Sequence, residues 1–179
     1  MIKKIFTALS LVVSALILGG CNSGENYENF LTFHVAEQKS SVGVSRSKVT
    51  MPQSGFEVIA NDSFAFSHAH LDKVQVAEVK TFDGLQTIRG LLFSLTQDGS
   101  KILYRETATN RNGWILLKER HDPVGLRKID TIISDGSLFM IVEFPPDVDL
   151  QEKADDYNEG IRIIQKKISK KNNSIFSTW

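Results

Sequence analysis

QTIRGLLFSLTQDGSKILYRETATNRNGWILLKERHDPVGLRKIDTIISDGSLFMIVEF, residues 86–144, is the stretch whose reading decides the fold. Ile88 to Leu95 reads as a strand, with Leu91, Phe93 and Leu95 on one face and Leu92 and Ser94 on the other. Thr96 offers an N-cap for a helix over Gln97–Asn110, although Gly99 falls where a capping-box glutamate would sit. Ile102, Leu103 and Tyr104 supply that helix's apolar contacts, and Gly113 is its expected stop. Trp114 to Leu117 is an unbroken apolar run inside a strand over Trp114–Lys118, the pattern of a strand covered on both faces. His121-Asp122-Pro123 reads as a break. Arg127–Ile133 and Ser137–Phe144 then read as strands joined through Ser134-Asp135-Gly136.

Pro145-Pro146 ends the sheet, and Asp149 with Glu152 opens a second helix over Leu150–Ser169. Its apolar residues Leu150, Ala154, Tyr157, Ile161, Ile164 and Ile168 recur at helical spacing, as on a helix laid by one face on a sheet. Residues 170–179 read as a loosely ordered tail. On the N-terminal side, Asp83-Gly84 marks a hairpin between a strand through Val74, Val76 and Val79 and the strand at Ile88. Gly55–Ala60 and Phe30–Glu37 are further strand candidates. Lys39 to Met51, with alternating Val42, Val44 and Val49, is either an edge strand or a loop, since Pro52 limits any central strand there. Strands followed by β-α-β-β-α predict an α+β fold: one sheet with two helices on one face, preceded by extra N-terminal strands.

The leader gives the address. Met1-Ile2-Lys3-Lys4 is a basic start, and Ile5 to Leu18 carries no charge. That run is short for a span of about 30 Å of hydrocarbon and has the form of a secretory signal. It ends in Leu18-Gly19-Gly20-Cys21, which resembles a bacterial lipobox. The resemblance implies cleavage before Cys21, lipid on its sulfur, and stable anchoring if two or more chains are attached. The alternative is a plain signal peptide with a coincidental cysteine. Asn22 at the next position favours the outer over the inner membrane, and 21–29 reads as a tether to a single domain over 30–169. Removing Lys3 and Lys4 with the leader reduces 21 basic residues to 19, against 21 acidic ones, a net charge of −2. Such a balance gives no reason to expect nucleic acid as a partner. One cysteine permits no intrachain disulfide.

Within the domain, Phe93-Ser94-Leu95-Thr96-Gln97-Asp98-Gly99 resembles the strand-to-helix motif of the first periplasmic, or head, domain of the SecD/SecDF protein-export subunit. Thr109-Asn110-Arg111-Asn112-Gly113, followed by Trp114 to Leu117, is similar to a second passage of that family. Pro123-Val124 and Ile132 to Gly136 sit where the family has a proline-containing loop and a glycine turn. The resemblance covers about residues 70–165 and implies a ferredoxin-like head exposed to the periplasm. The family's transmembrane helices have no counterpart here, so its proton-driven motor is not implied, and fold alone assigns no task.

Chemical constellations are sparse. His68-Ala69-His70 on a strand would put both imidazoles on one face, a zinc or copper geometry to which His34 or Asp72 could add a ligand. The bland reading is a pair of histidines near a turn. Ser67-His68 and His121-Asp122 form no nucleophile elbow. Glu143 and Asp147 read as a solvating carboxylate and a helix-starting one rather than an acid-base pair. The basic run Lys166-Lys167, Lys170-Lys171 is either a solvated helix end or a contact for anionic head groups. There is no phosphate-binding glycine motif. The sequence therefore predicts a non-enzymatic, lipid-anchored periplasmic protein that binds another envelope or exported protein, with no cofactor and no small-molecule ligand. Strand addition at Val42, Val44 and Val49 is the expected mode. An inhibitor or immunity lipoprotein acting on a periplasmic toxin is the second expectation, and a metal-binding lipoprotein using His68 and His70 the third.

Overall fold

The computed structural model describes residues 30–38, 45–81 and 84–176, with side chains described up to residue 170. The leader, Cys21, Val42 and Val44 therefore lie outside the described residues. Among the described residues nine strands form: β1 (Leu31–Glu37), β2 (Arg46–Thr50), β3 (Glu57–Asn61), β4 (Phe66–Ser67), β5 (Leu71–Lys80), β6 (Thr87–Leu95), β7 (Trp114–Glu119), β8 (Asp122–Lys128) and β9 (Ser137–Val142). Two helices accompany them, α1 (Gln97–Thr109) and α2 (Leu150–Phe176). The fold is α+β, with strand order β2-β3-β1-β7-β8-β9-β6-β5 and the short β4 beside β1.

Every ladder is antiparallel. A ferredoxin-like sheet also has antiparallel neighbours, but it places two strands between its helices and the second of them beside the strand that precedes the first helix. Here three strands, β7, β8 and β9, separate α1 from α2, so that finer part of the expectation is not confirmed. The meander β7-β8-β9 makes the difference: its third strand, β9, takes the place beside β6 that β8 would hold in the expected arrangement.

Both helices contribute to one core. Leu103 of α1 and Ala154, Tyr157 and Ile161 of α2 join Phe33, Phe66, Phe93, Ile115 and Leu117. Phe33 stacks on Phe66 at 4.4 Å and meets Phe93 edge-on at 5.3 Å, contacts worth about 0.5–1.5 kcal/mol each beyond the area they bury. On the opposite face, Leu116 packs with Ala36, Met51, Val58 and Ala60. Alternation along β7 thus places Ile115 and Leu117 in one core and Leu116 in the other, as the apolar run predicts.

Several boundaries differ from expectation. His121-Asp122-Pro123 does not break the sheet. Arg120 takes a positive φ of 58° in the β7–β8 turn, and Pro123 enters β8 beside a register shift, where its missing N–H is tolerated. The strand expected over Arg127–Ile133 is instead Asp122–Lys128. The next residues satisfy their backbone on the end of α1: Asn112 N–H donates to the Ile129 carbonyl, and Ile133 N–H to the Thr107 hydroxyl at 3.1 Å. Ile129 and Ile133 are thereby buried without a ladder.

Thr96 caps α1 as expected, accepting from Gly99 N–H at 3.2 Å. Gly99 is required for a different reason, because a side chain there would meet the His70 carbonyl at 2.5 Å. After α1 it is Asn112, not Gly113, that adopts positive φ, at 65°. α2 runs to Phe176, so part of the segment expected as a loose tail is helical. Its buried stripe ends near Ile164, and Ile168 is exposed.

Candidate functional site

Among the described residues, the terminal strands of the sheet are β2 and β5. In an antiparallel pair, alternate residues turn their N–H and C=O inward to the neighbour or outward to the open edge. Asp62 N–H donates to Ser45 C=O, and Met51 N–H to Phe56 C=O, on the register that pairs Val49 with Val58. Odd-numbered residues of β2 therefore bond inward, and Arg46, Lys48 and Thr50 present their backbone to the open side. Val49 is half-buried against the smaller core, with its N–H committed to β3. Arg46 is tied down by Glu37 at 3.0 Å, while the Lys48–Glu57 pair at 2.8 Å lies in solvent.

Beyond Thr50 the chain folds back over the sheet. Met51 plugs against Leu116, and Phe56 lies 4.9 Å from the Trp114 ring. Glu143 pins this turn by accepting from the N–H groups of Gln53 at 2.9 Å and Ser54 at 3.0 Å. Burial works to raise the Glu143 pKa, but the hydrogen bonds from Ser54 and Gln53 outweigh it and hold the carboxyl below its ordinary range. Glu143 is thus a clamp across 90 residues of chain, where the sequence suggested only a solvating group.

Between this turn, the β7–β8 tip and Pro145-Pro146 lies a groove of about 730 Å³. Its floor carries Glu119, which accepts from Lys153 Nζ at 2.9 and 3.2 Å and from the Tyr157 hydroxyl at 3.0 Å. Lys153 also sits 5.6 Å from the Phe144 ring centroid. Burial, then the Glu119 charge, pushes the Tyr157 hydroxyl far above its ordinary pKa, so it acts as a fixed donor. The carboxylate is thereby neutralised in place, and Pro123, Val124, Phe144 and Pro146 give the groove apolar walls. Thr50 lines the same groove and is the last outward-facing residue of β2. Edge and groove are continuous.

The histidine pair is not arranged as expected. His68 and His70 lie in a 3-10 turn, not on a strand, and successive residues of such a turn point some 120° apart. His68 is 4% exposed and stacks 4.6 Å from the Phe30 ring, whereas His70 Nδ1 accepts from Ser67 N–H at 3.3 Å. His34 is occupied elsewhere, with Nδ1 on the Asn61 carbonyl at 2.9 Å and Nε2 on the Thr32 hydroxyl at 3.0 Å. Burial lowers the pKa of both His34 and His68. Among the described residues, no three His, Cys, Asp or Glu side chains gather as a metal site. No helix among them is long and apolar enough to cross a membrane.

The groove was hidden from sequence reasoning because Tyr157 reads as one more member of an apolar stripe. A hydroxyl on such a stripe, with Lys153 one turn before it, is the signal that a polar partner waits opposite. No family model, curated protein or solved structure matches the chain.

Proposed function

We propose that this chain is a lipid-anchored periplasmic module that binds another envelope or exported protein by strand addition at β2. An extended segment of the partner would bond to the outward backbone of Arg46, Lys48 and Thr50, and its next side chain would enter the apolar-walled groove. The observation that carries this reading is Thr50, which ends the open edge and lines the groove. The likeness of Phe93–Gly99 and Thr109–Gly113 to the SecD head supports a setting in protein export or envelope assembly. The lipobox-like Leu18-Gly19-Gly20-Cys21 supports the anchor.

The test is in-cell crosslinking of the full-length protein, followed by identification of what is captured. Lys48→Pro removes an outward N–H and leaves the β2–β3 bonds intact, so it should abolish capture while the circular dichroism spectrum stays unchanged. Val49→Pro removes an inward N–H and should loosen the sheet itself. Unaltered capture by Lys48→Pro would exclude strand addition at β2. Recovery of one secreted enzyme, bound one-to-one, would make the same edge that of an inhibitor.

A further inference from the structure

The second open edge has a different character. Val74 of β5 has both its N–H and C=O bonded by the side-chain amide of Asn158 in α2, each at 2.8 Å. Val74 therefore faces outward. Thr81 N–H donates inward to Gln86 C=O, which agrees with that phase, and no irregularity interrupts the ladder between Lys73 and Lys80. It follows that Val76, Glu78 and Lys80 also present their backbone to the outside. The amide of Asn158 imitates a neighbouring strand at Val74, and no strand of the described residues continues that role beyond it. Glu78, Val79 and Lys80 are exposed, and Val79 leaves 45% of its surface in water.

We infer that this half of β5 pairs with the same strand of a second copy, antiparallel, about a two-fold axis at Val79. Charge selects the register. An axis at Glu78 would set Glu78 against itself, and one at Lys80 would oppose two lysines, both unfavourable across a ladder. An axis at Val79 places Glu78 opposite the partner's Lys80 and Lys80 opposite the partner's Glu78. These residues point their backbone outward, so each pair exchanges both N–H···O bonds. Val79 then meets the partner's Val79 in the closer, non-hydrogen-bonded position and covers its exposed surface. The isologous contact closes on itself, which stops the edge from recruiting further chains. It is independent of the reading placed on β2, and uses the opposite end of the sheet.

Val79→Cys tests it. Paired Cα atoms at this position are about 4.5 Å apart, within the range that a disulfide spans. The full-length variant, oxidised in the membranes of expressing cells, should give a disulfide-linked dimer that wild type, with only Cys21, does not give. In that background Glu78→Lys or Lys80→Glu should each lower the yield at least about threefold, and the two together should restore it. A Val79→Cys chain that remains monomeric, or a yield indifferent to the charge reversals, would overturn the proposal. Because these substitutions lie far from Lys48, loss of the dimer with partner capture intact would remove this inference and leave the β2 reading standing.

Discussion

Thr32, His34 and Asn61 form a small buried chain in which the proton of the imidazole is assigned by its neighbours. The Asn61 carbonyl can only accept, so Nδ1 carries the hydrogen and Nε2 accepts from Thr32. A second proton would leave Nε2 facing a hydroxyl in a buried site. His68 is neutral for a related reason, since its ring is enclosed against Phe30. Both folded pKa values lie below the ordinary 6.5, so between them and 6.5 the unfolded chain binds protons that the folded chain refuses. Stability from these groups is complete above pH 6.5 and is lost as the pH falls below it. The urea midpoint should therefore drop between pH 7 and 5.5, before carboxylates such as Glu143 begin to protonate. His68→Gln should flatten part of that slope. A midpoint independent of pH over this interval in wild type would contradict the neutral burial of both rings.

At the scale of elements, α2 does more than cover the sheet. Asn158 closes the edge of β5 at Val74, and Gln165 adds a bond to the Leu71 carbonyl at 3.2 Å. Val74 is 1% exposed, so removing the amide leaves a buried N–H and C=O without partners. Asn158→Ala should cost about 1–3 kcal/mol in urea unfolding, against less than about 0.5 kcal/mol for the exposed control Lys167→Ala. Equal losses in the two variants would mean that α2 holds β5 by apolar contact alone. The helix stripe itself was legible from spacing, because Leu150, Ala154, Tyr157 and Ile161 return to one face every three or four residues. The edge-closing role of Asn158 was not, since an asparagine beside that stripe looks the same whether it meets water or a strand. The β8 boundaries failed for a similar reason. A proline after a turn signal reads as a stop, and only the bulge opposite Leu117 and Lys118 lets Pro123 remain in the sheet.

For the whole molecule, the address and the architecture are separable. No helix of the described residues is long and apolar enough to cross a membrane, and the proposed anchor belongs to the segment before residue 30. Cys21→Ser should move the full-length protein from the membrane pellet to the soluble periplasmic fraction after cell fractionation, with the domain still folded. Retention in the pellet would point to an uncleaved leader or another contact as the anchor. The two open edges lie at opposite ends of one sheet, so self-pairing at β5 would leave β2 and its groove exposed on both copies. A dimer of this form would present two copies of the proposed partner site and of the proposed anchor, and would so raise effective affinity at a membrane without any new contact.

By itself the sequence determined what depends on neighbours along the chain. The Thr96 cap, the pairing of β5 with β6, the two-faced burial of Trp114 to Leu117 and the stripe of α2 are all set within a few residues. Tertiary structure decided whatever depends on residues distant in sequence. It chose antiparallel partners for every strand, placed His68 and His70 in a turn that separates their rings, and brought Glu119 to Lys153 and Glu143 to Gln53. The physical reason is that local spacing fixes which face of an element is apolar. Which other face it meets, and which backbone edge remains open, follow only when all the elements compete for the same core.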